Sequence, residues 1–119
     1  MKYLCLIFDE EKNLATMPKS QLDALMDEYR DFGESIRKSG HYVTGSQLAS
    51  TRTASTVRVR NGKMSVTDGP FAETKEQLSG YYLIEAADLN EALQIASRIP
   101  SARKGSIEVR PLIEGRPTA

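Results

Sequence analysis

The chain reads as an α+β domain on a split βαβ, ferredoxin-like plan, with two main helices on one face of an antiparallel sheet. Three observations predict this. The segments Tyr3 to Phe8 and Tyr81 to Ala86 are apolar on both faces, as interior strands are. The segments Pro18 to Ser39 and Asp88 to Ile99 repeat apolar residues at three- and four-residue steps, as packed helices do. The order in sequence is interior strand, long helix, strand, hairpin, interior strand, helix, strand, which makes two βα units wrapped on one sheet.

The opening strand runs from Met1 to Phe8, and Asp9 to Thr16 reads as a polar connection. In the long helix, Leu22, Leu25, Met26, Tyr29, Phe32 and Ile36 form one stripe, and Gly40 stands where a C-terminal cap belongs. His41 to Leu48 is extended. Thr56 to Arg60 alternates, Asn61-Gly62 is a strong hairpin signal, and Lys63 to Thr67 alternates back. Asp68-Gly69-Pro70 is a bend in which the Asp carboxylate is expected to hold a backbone N–H of its own turn. Thr74 and Gln77 have capping-box spacing, predicting a helical turn over about Lys75 to Leu78 before the second interior strand. Asp88 and Glu91 repeat the capping box, with Leu89, Ala92, Leu93, Ala96 and Ile99 as the second helix's stripe and Pro100 as its stop. The last strand, Ser106 to Ile113, alternates until Pro111, which suits an edge or a strand end.

Length and charge narrow the function classes. A chain of 119 residues is expected to form one domain, 1–119, with about 115–119 expected as a frayed tail. Sixteen basic and sixteen acidic residues cancel, so the basic excess of a nucleic-acid binder is missing. The N-terminal apolar run is too short for a signal h-region or a membrane span, so a cytoplasmic protein with no membrane partner is expected. One His and one Cys cannot assemble an ordinary zinc site, so no metal is expected, and no P-loop or dinucleotide fingerprint calls for a cofactor. Cys5, inside an apolar strand, is expected as a buried inert thiol.

Candidate site residues follow from residue type and place. Asp68 reads either as a general base at a cleft or as a carboxylate that only ties its turn. Phe71 lines a pocket or plugs the core. His41 supplies the one imidazole, a side-chain type suited to proton transfer, although a His past a helix C-terminus is more often a dipole partner. Tyr81 offers a phenol. Arg58 and Arg60 share one strand face and, with Arg52, could clamp an anion or simply be solvated.

The stretch Thr67 to Glu85, TDGPFAETKEQLSGYYLIE, closely resembles the signature of DGPF-domain proteins within the YCII-related family. The resemblance also takes in the Met-Lys-Tyr-Leu opening and the long helix. One departure is Ser79, where such proteins are expected to carry a second glycine before Gly80. The resemblance implies a dimeric α/β-barrel-like assembly. It implies a pocket near the DGPF turn, and a link with sigma-factor-dependent transcription. The His-Asp pair proposed for the wider group does not transfer as a unit, because the first helix has no His. Independently, helices on one face leave the two-sided apolar strands open on the other, which argues for a homodimer. Two functions compete: a cofactor-independent acid-base enzyme or binder of a small organic molecule near Asp68, and a non-enzymatic dimeric sensor or accessory module.

Overall fold

A computed structural model of the chain describes residues 1–114. The expected tail at 115–119 lies outside the described residues. Nine principal elements follow in order: β1 (Lys2–Asp9), α1 (Glu11–Ala15), α2 (Lys19–Lys38), β2 (Tyr42–Gln47), β3 (Ser55–Arg60), β4 (Lys63–Asp68), β5 (Gln77–Glu85), α3 (Leu89–Ser97) and β6 (Ser106–Pro111). Short 3₁₀ turns cover Thr51–Thr53 and Pro100–Arg103. Four strands form an antiparallel sheet in the order β2-β5-β1-β6, while β3 and β4 pair only with each other. The α+β class is as the sequence predicts, and the strand order is consistent with the ferredoxin-like plan.

The alternation in β1 sorts its side chains. Tyr3, Cys5 and Ile7 are buried with Phe32 and Ile36 of α2, with Ala92, Ile95 and Ala96 of α3, and with Ile84 and Ile99. Ile36, Ile84 and Cys5 reach 0% exposure. Burial pushes the Cys5 thiol up to about 11, so it stays protonated at neutral pH, as its place in the strand predicts. The opposite face carries Leu4, Leu6, Phe8, Tyr81 and Leu83, all only partly buried. No described helix lies on that side of the core.

Helix α2 ends in a Schellman arrangement. His41 N donates to Ile36 O at 2.9 Å and Gly40 N to Arg37 O at 3.1 Å, with Gly40 at φ 81°. Asn61 and Gly62, at φ 53° and 75°, close the β3–β4 hairpin.

Four local expectations are corrected. Asp9 to Thr16 is not all connection, because α1 forms within it. No helical turn forms at Lys75–Leu78. Instead Thr74 Oγ1 donates to Glu76 O, Gln77 Nε2 donates to Thr74 O, and Gln77 already pairs with Asp9 in the sheet. In α3 the buried stripe uses Ile95, whereas Leu89 and Leu93 are half-exposed. The Asp68 carboxylate makes no hydrogen bond to its own turn among the described residues, because Pro70, two residues on, has no N–H to give. The bend is held by Gly69 N donating to Ala54 O at 2.7 Å and Thr56 Oγ1 donating to Gly69 O at 2.9 Å.

Candidate functional site

Where α2 runs past the end of its buried stripe, it roofs a cavity instead of the core. Leu25, Met26 and Tyr29 form that roof, Tyr42, Tyr81 and Tyr82 stand on the sheet side, and Asp9 and Ser101 line the cavity with them. Its volume is about 250 Å³.

The polar end is built around Asp9. Strand β1 delivers it as its last residue, two positions after Ile7 and therefore on the same face. Ile7 pairs with Gly80 and Phe8 with Leu78, so Ser79 is the extra residue of a β-bulge. The bulge aims the Ser79 hydroxyl at Asp9 Oδ2, 2.9 Å away, and it also lies 3.2 Å from the Ile7 carbonyl. Ser101, 5% exposed, donates to the same Oδ2 at 3.0 Å and shares a short hydrogen bond with the Tyr29 hydroxyl. Burial, the largest cause, pushes the Tyr29 phenol up to about 12; the Asp9 charge adds to this and the Ser101 hydrogen bond opposes it. Tyr29 is therefore a neutral phenol at physiological pH. Tyr82 is raised by burial and by Tyr42, with Arg37 opposing. Tyr29, Ser101, Asp9 and Ser79 thus form one hydrogen-bonded chain along the cavity wall.

Gly105 sets the clearance behind Asp9. A Cβ there would lie 2.0 Å from the Phe8 carbonyl oxygen and 2.9 Å from Asp9 Oδ1. A second cavity, of about 360 Å³, shares Asp9, Leu14, Leu25 and Ser101 with the first and adds Glu10, Glu28, Arg103 and Lys104. Arg103 is already paired with Glu28 at 2.6 Å.

The residues singled out from sequence fall in three places. Tyr81 is among the residues lining the Asp9 cavity, although its side chain, paired with Leu6, belongs to the opposite face of the sheet. His41 bridges two helix ends: Nδ1 lies 2.6 Å from Ser39 Oγ at the end of α2, and Nε2 lies 3.2 Å from Glu91 Oε1 in the first turn of α3. Glu91 Oε1 also accepts from Ala87 N at 2.9 Å, so His41 joins a helix cap. Asp68, Phe71, Arg58 and Arg60 lie on the β3–β4 ribbon and the bend after it. All four are exposed, Phe71 at 78%, and none lines the Asp9 cavity. Asp9, Ser79, Tyr29 and Ser101 carry the polar site and were not singled out. The available signal was the carboxylate that directly ends an interior strand, the first of the run Asp9-Glu10-Glu11.

The ribbon itself is amphipathic. Val57 pairs with Val66 and Val59 with Met64, so these four share one face, and each is 56–71% exposed. Its foot is fastened by Glu11, whose carboxylate accepts from Thr51 N at 2.7 Å, Thr51 Oγ1 at 2.9 Å and Ser50 Oγ at 3.3 Å. The backbone hydrogen bond from Thr51 is the largest cause holding the Glu11 carboxyl below its usual range.

The family model for the YCII-related domain matches residues 1–116. The chain belongs to the YCII-related family. An uncharacterised protein of Rhizobium meliloti (strain 1021), R00369, is 37% identical over 119 residues, covering 98% of this chain and 96% of its own. That relative carries no assigned activity in its name, so for this YCII-related chain the membership fixes kinship and leaves the chemistry to the site. Among the described residues, no group of three or more His, Cys, Asp or Glu side chains is arranged to hold a metal, and no helix is long and apolar enough to cross a membrane.

Proposed function

We propose that this YCII-related domain binds a small organic molecule in the cavity at Asp9 and acts on it by cofactor-independent acid-base chemistry. The observation that carries the reading is the Tyr29–Ser101–Asp9–Ser79 hydrogen-bonded chain at the polar end of an otherwise apolar, tyrosine-walled cavity. Two hydroxyls hold Asp9 Oδ2 and fix the carboxylate's orientation, so Oδ1 is left to accept a proton or hydrogen bond from a ligand. Tyr29, kept neutral by burial, serves as a hydrogen-bond donor and not as a base. This locates the working carboxylate at the end of β1, away from Asp68.

A thermal-shift screen of small carboxylates, amines and lactones tests it, because a ligand of the native state raises the melting temperature. Hits should lose their effect in Asp9→Asn and keep it in Asp68→Asn. An Asp9→Asn protein that melts normally and answers every hit as the wild type does would sink the reading. A sensor that leaves its ligand unchanged is told from an enzyme by mass analysis of the recovered compound.

We also infer that a second copy of the chain covers the open sheet face. Leu4, Leu6, Phe8, Tyr81 and Leu83 stand there only partly buried, and a two-fold interface would cover both copies at once. Light scattering should give twice the chain mass for the wild type and the single-chain mass for Leu6→Glu. A wild-type monomer at high concentration would overturn this.

A further inference from the structure

The charges and rings of the Asp9 cavity restrict what it can take. Its charged lining groups are Asp9 and Arg37. Arg37 is exposed, and its guanidinium lies 4.4 Å from the Tyr42 ring centroid, so the one cation of the lining is already engaged by an aromatic face. Asp9 has both donors on Oδ2, and Oδ1 receives no hydrogen bond among the described residues. The side chains that reach Asp9 are neutral hydroxyls, which orient a carboxylate without cancelling its charge. The remaining walls include the rings of Tyr29, Tyr42 and Tyr82, whose π faces are negative. The contiguous second cavity does not reverse the sign. It adds Glu10 and the Glu28–Arg103 pair, with Lys104 as its other cation.

We propose that the cavity selects a small organic cation, a primary or secondary amine on an apolar body, with its N–H directed at Asp9 and its body between the tyrosine rings. The proposal rests on the reading of the Asp9 cavity as the ligand site and names the class of molecule it takes. A carboxylate of the same shape would face Asp9, with Arg37, held over the Tyr42 ring, as the one cation of the lining. A neutral alcohol would keep the hydrogen bond and forgo both the charge and the attraction to the ring faces.

Three isosteric probes separate the cases: phenethylamine, 2-phenylethanol and phenylacetate, each titrated into the full chain and followed by amide NMR. Phenethylamine should bind about tenfold or more tightly than the alcohol, with phenylacetate weakest, and should shift resonances of Tyr29, Gly80 and Ser101. In Asp9→Asn the amine should fall to the affinity of the alcohol, whose own binding stays nearly unchanged. If the alcohol or phenylacetate moves these resonances as strongly as the amine does, the amine preference is wrong while the cavity reading stands. If none of the three perturbs the cavity residues, both fail. The wild-type ranking decides the matter even where Asp9→Asn does not fold.

Discussion

The helix-covered side of the sheet and the β3–β4 ribbon are built from similar residue types with opposite outcomes. Under α2 and α3, Cys5, Ile36 and Ile84 are fully buried, whereas on the ribbon Val57, Val59, Met64 and Val66 stay more than half exposed. The ribbon alternates apolar and polar residues, whereas β1 is apolar on both faces and alternates only in burial. The difference is the number of layers the chain itself supplies: two for the sheet, one for the ribbon. Alternation therefore reports which face favours burial, and not whether the same chain covers it. A two-stranded ribbon standing alone is at best marginally stable, so this one depends on what lies at its foot and on its face.

The largest effect that would sharpen this contrast is in the core. Ile36→Ala should cost about 2–5 kcal/mol in chemical denaturation, since it empties space beneath α2. A smaller cost would mean that the helix layer packs loosely and the contrast is overstated. Next comes Gly105→Ala, expected to cost about 1–3 kcal/mol because its methyl group would press on the Phe8 carbonyl. It should also weaken ligand binding at Asp9, and a variant of native stability would show that the contact relaxes freely. Glu11→Gln probes the ribbon's foot. Its folded pKa lies below the ordinary 4.5, so the carboxylate contributes stability that is present above that value and is lost as pH falls through the lowered one. The stability gap between wild type and variant should be constant from neutral pH to about 5 and close in more acidic solution; a gap independent of pH would break the assignment. The smallest effect belongs to Val59→Thr, expected within about 0.5 kcal/mol for an isolated chain. A loss as large as that of Ile36→Ala would show the ribbon face to be buried in solution.

Much of the fold was legible in sequence because local chemistry decided it. Gly40 and Asn61-Gly62 have backbones few residues adopt, and Asp88 accepts from Glu91 N at 2.9 Å as its capping box predicts. Thr74 and Gln77 carried the same spacing without a helix, because Gln77 was claimed by the sheet and by Glu11 N, which donates to its Oε1 at 2.9 Å. Long-range pairing overrode the local signal. The candidate site was less legible. It joins Asp9, Tyr29, Ser79 and Ser101 from four separate parts of the chain, and only the register shift in β5 reveals why Ser79 meets Asp9. No periodicity reports a bulge before the partner strand is known.

The absent side chain at Gly80, like that at Gly105, is enforced by main chain: a Cβ there would come within 2.9 Å of the Ser46 carbonyl oxygen. Backbone cannot be traded residue by residue, so the floor of the Asp9 chamber is close to immutable. Its ceiling, apart from the hydrogen-bonded Tyr29, is made of the exchangeable tips of Leu25 and Met26 on a single helix. Room for altered selectivity is thereby channelled into two adjacent positions of α2, and libraries aimed at it should begin there.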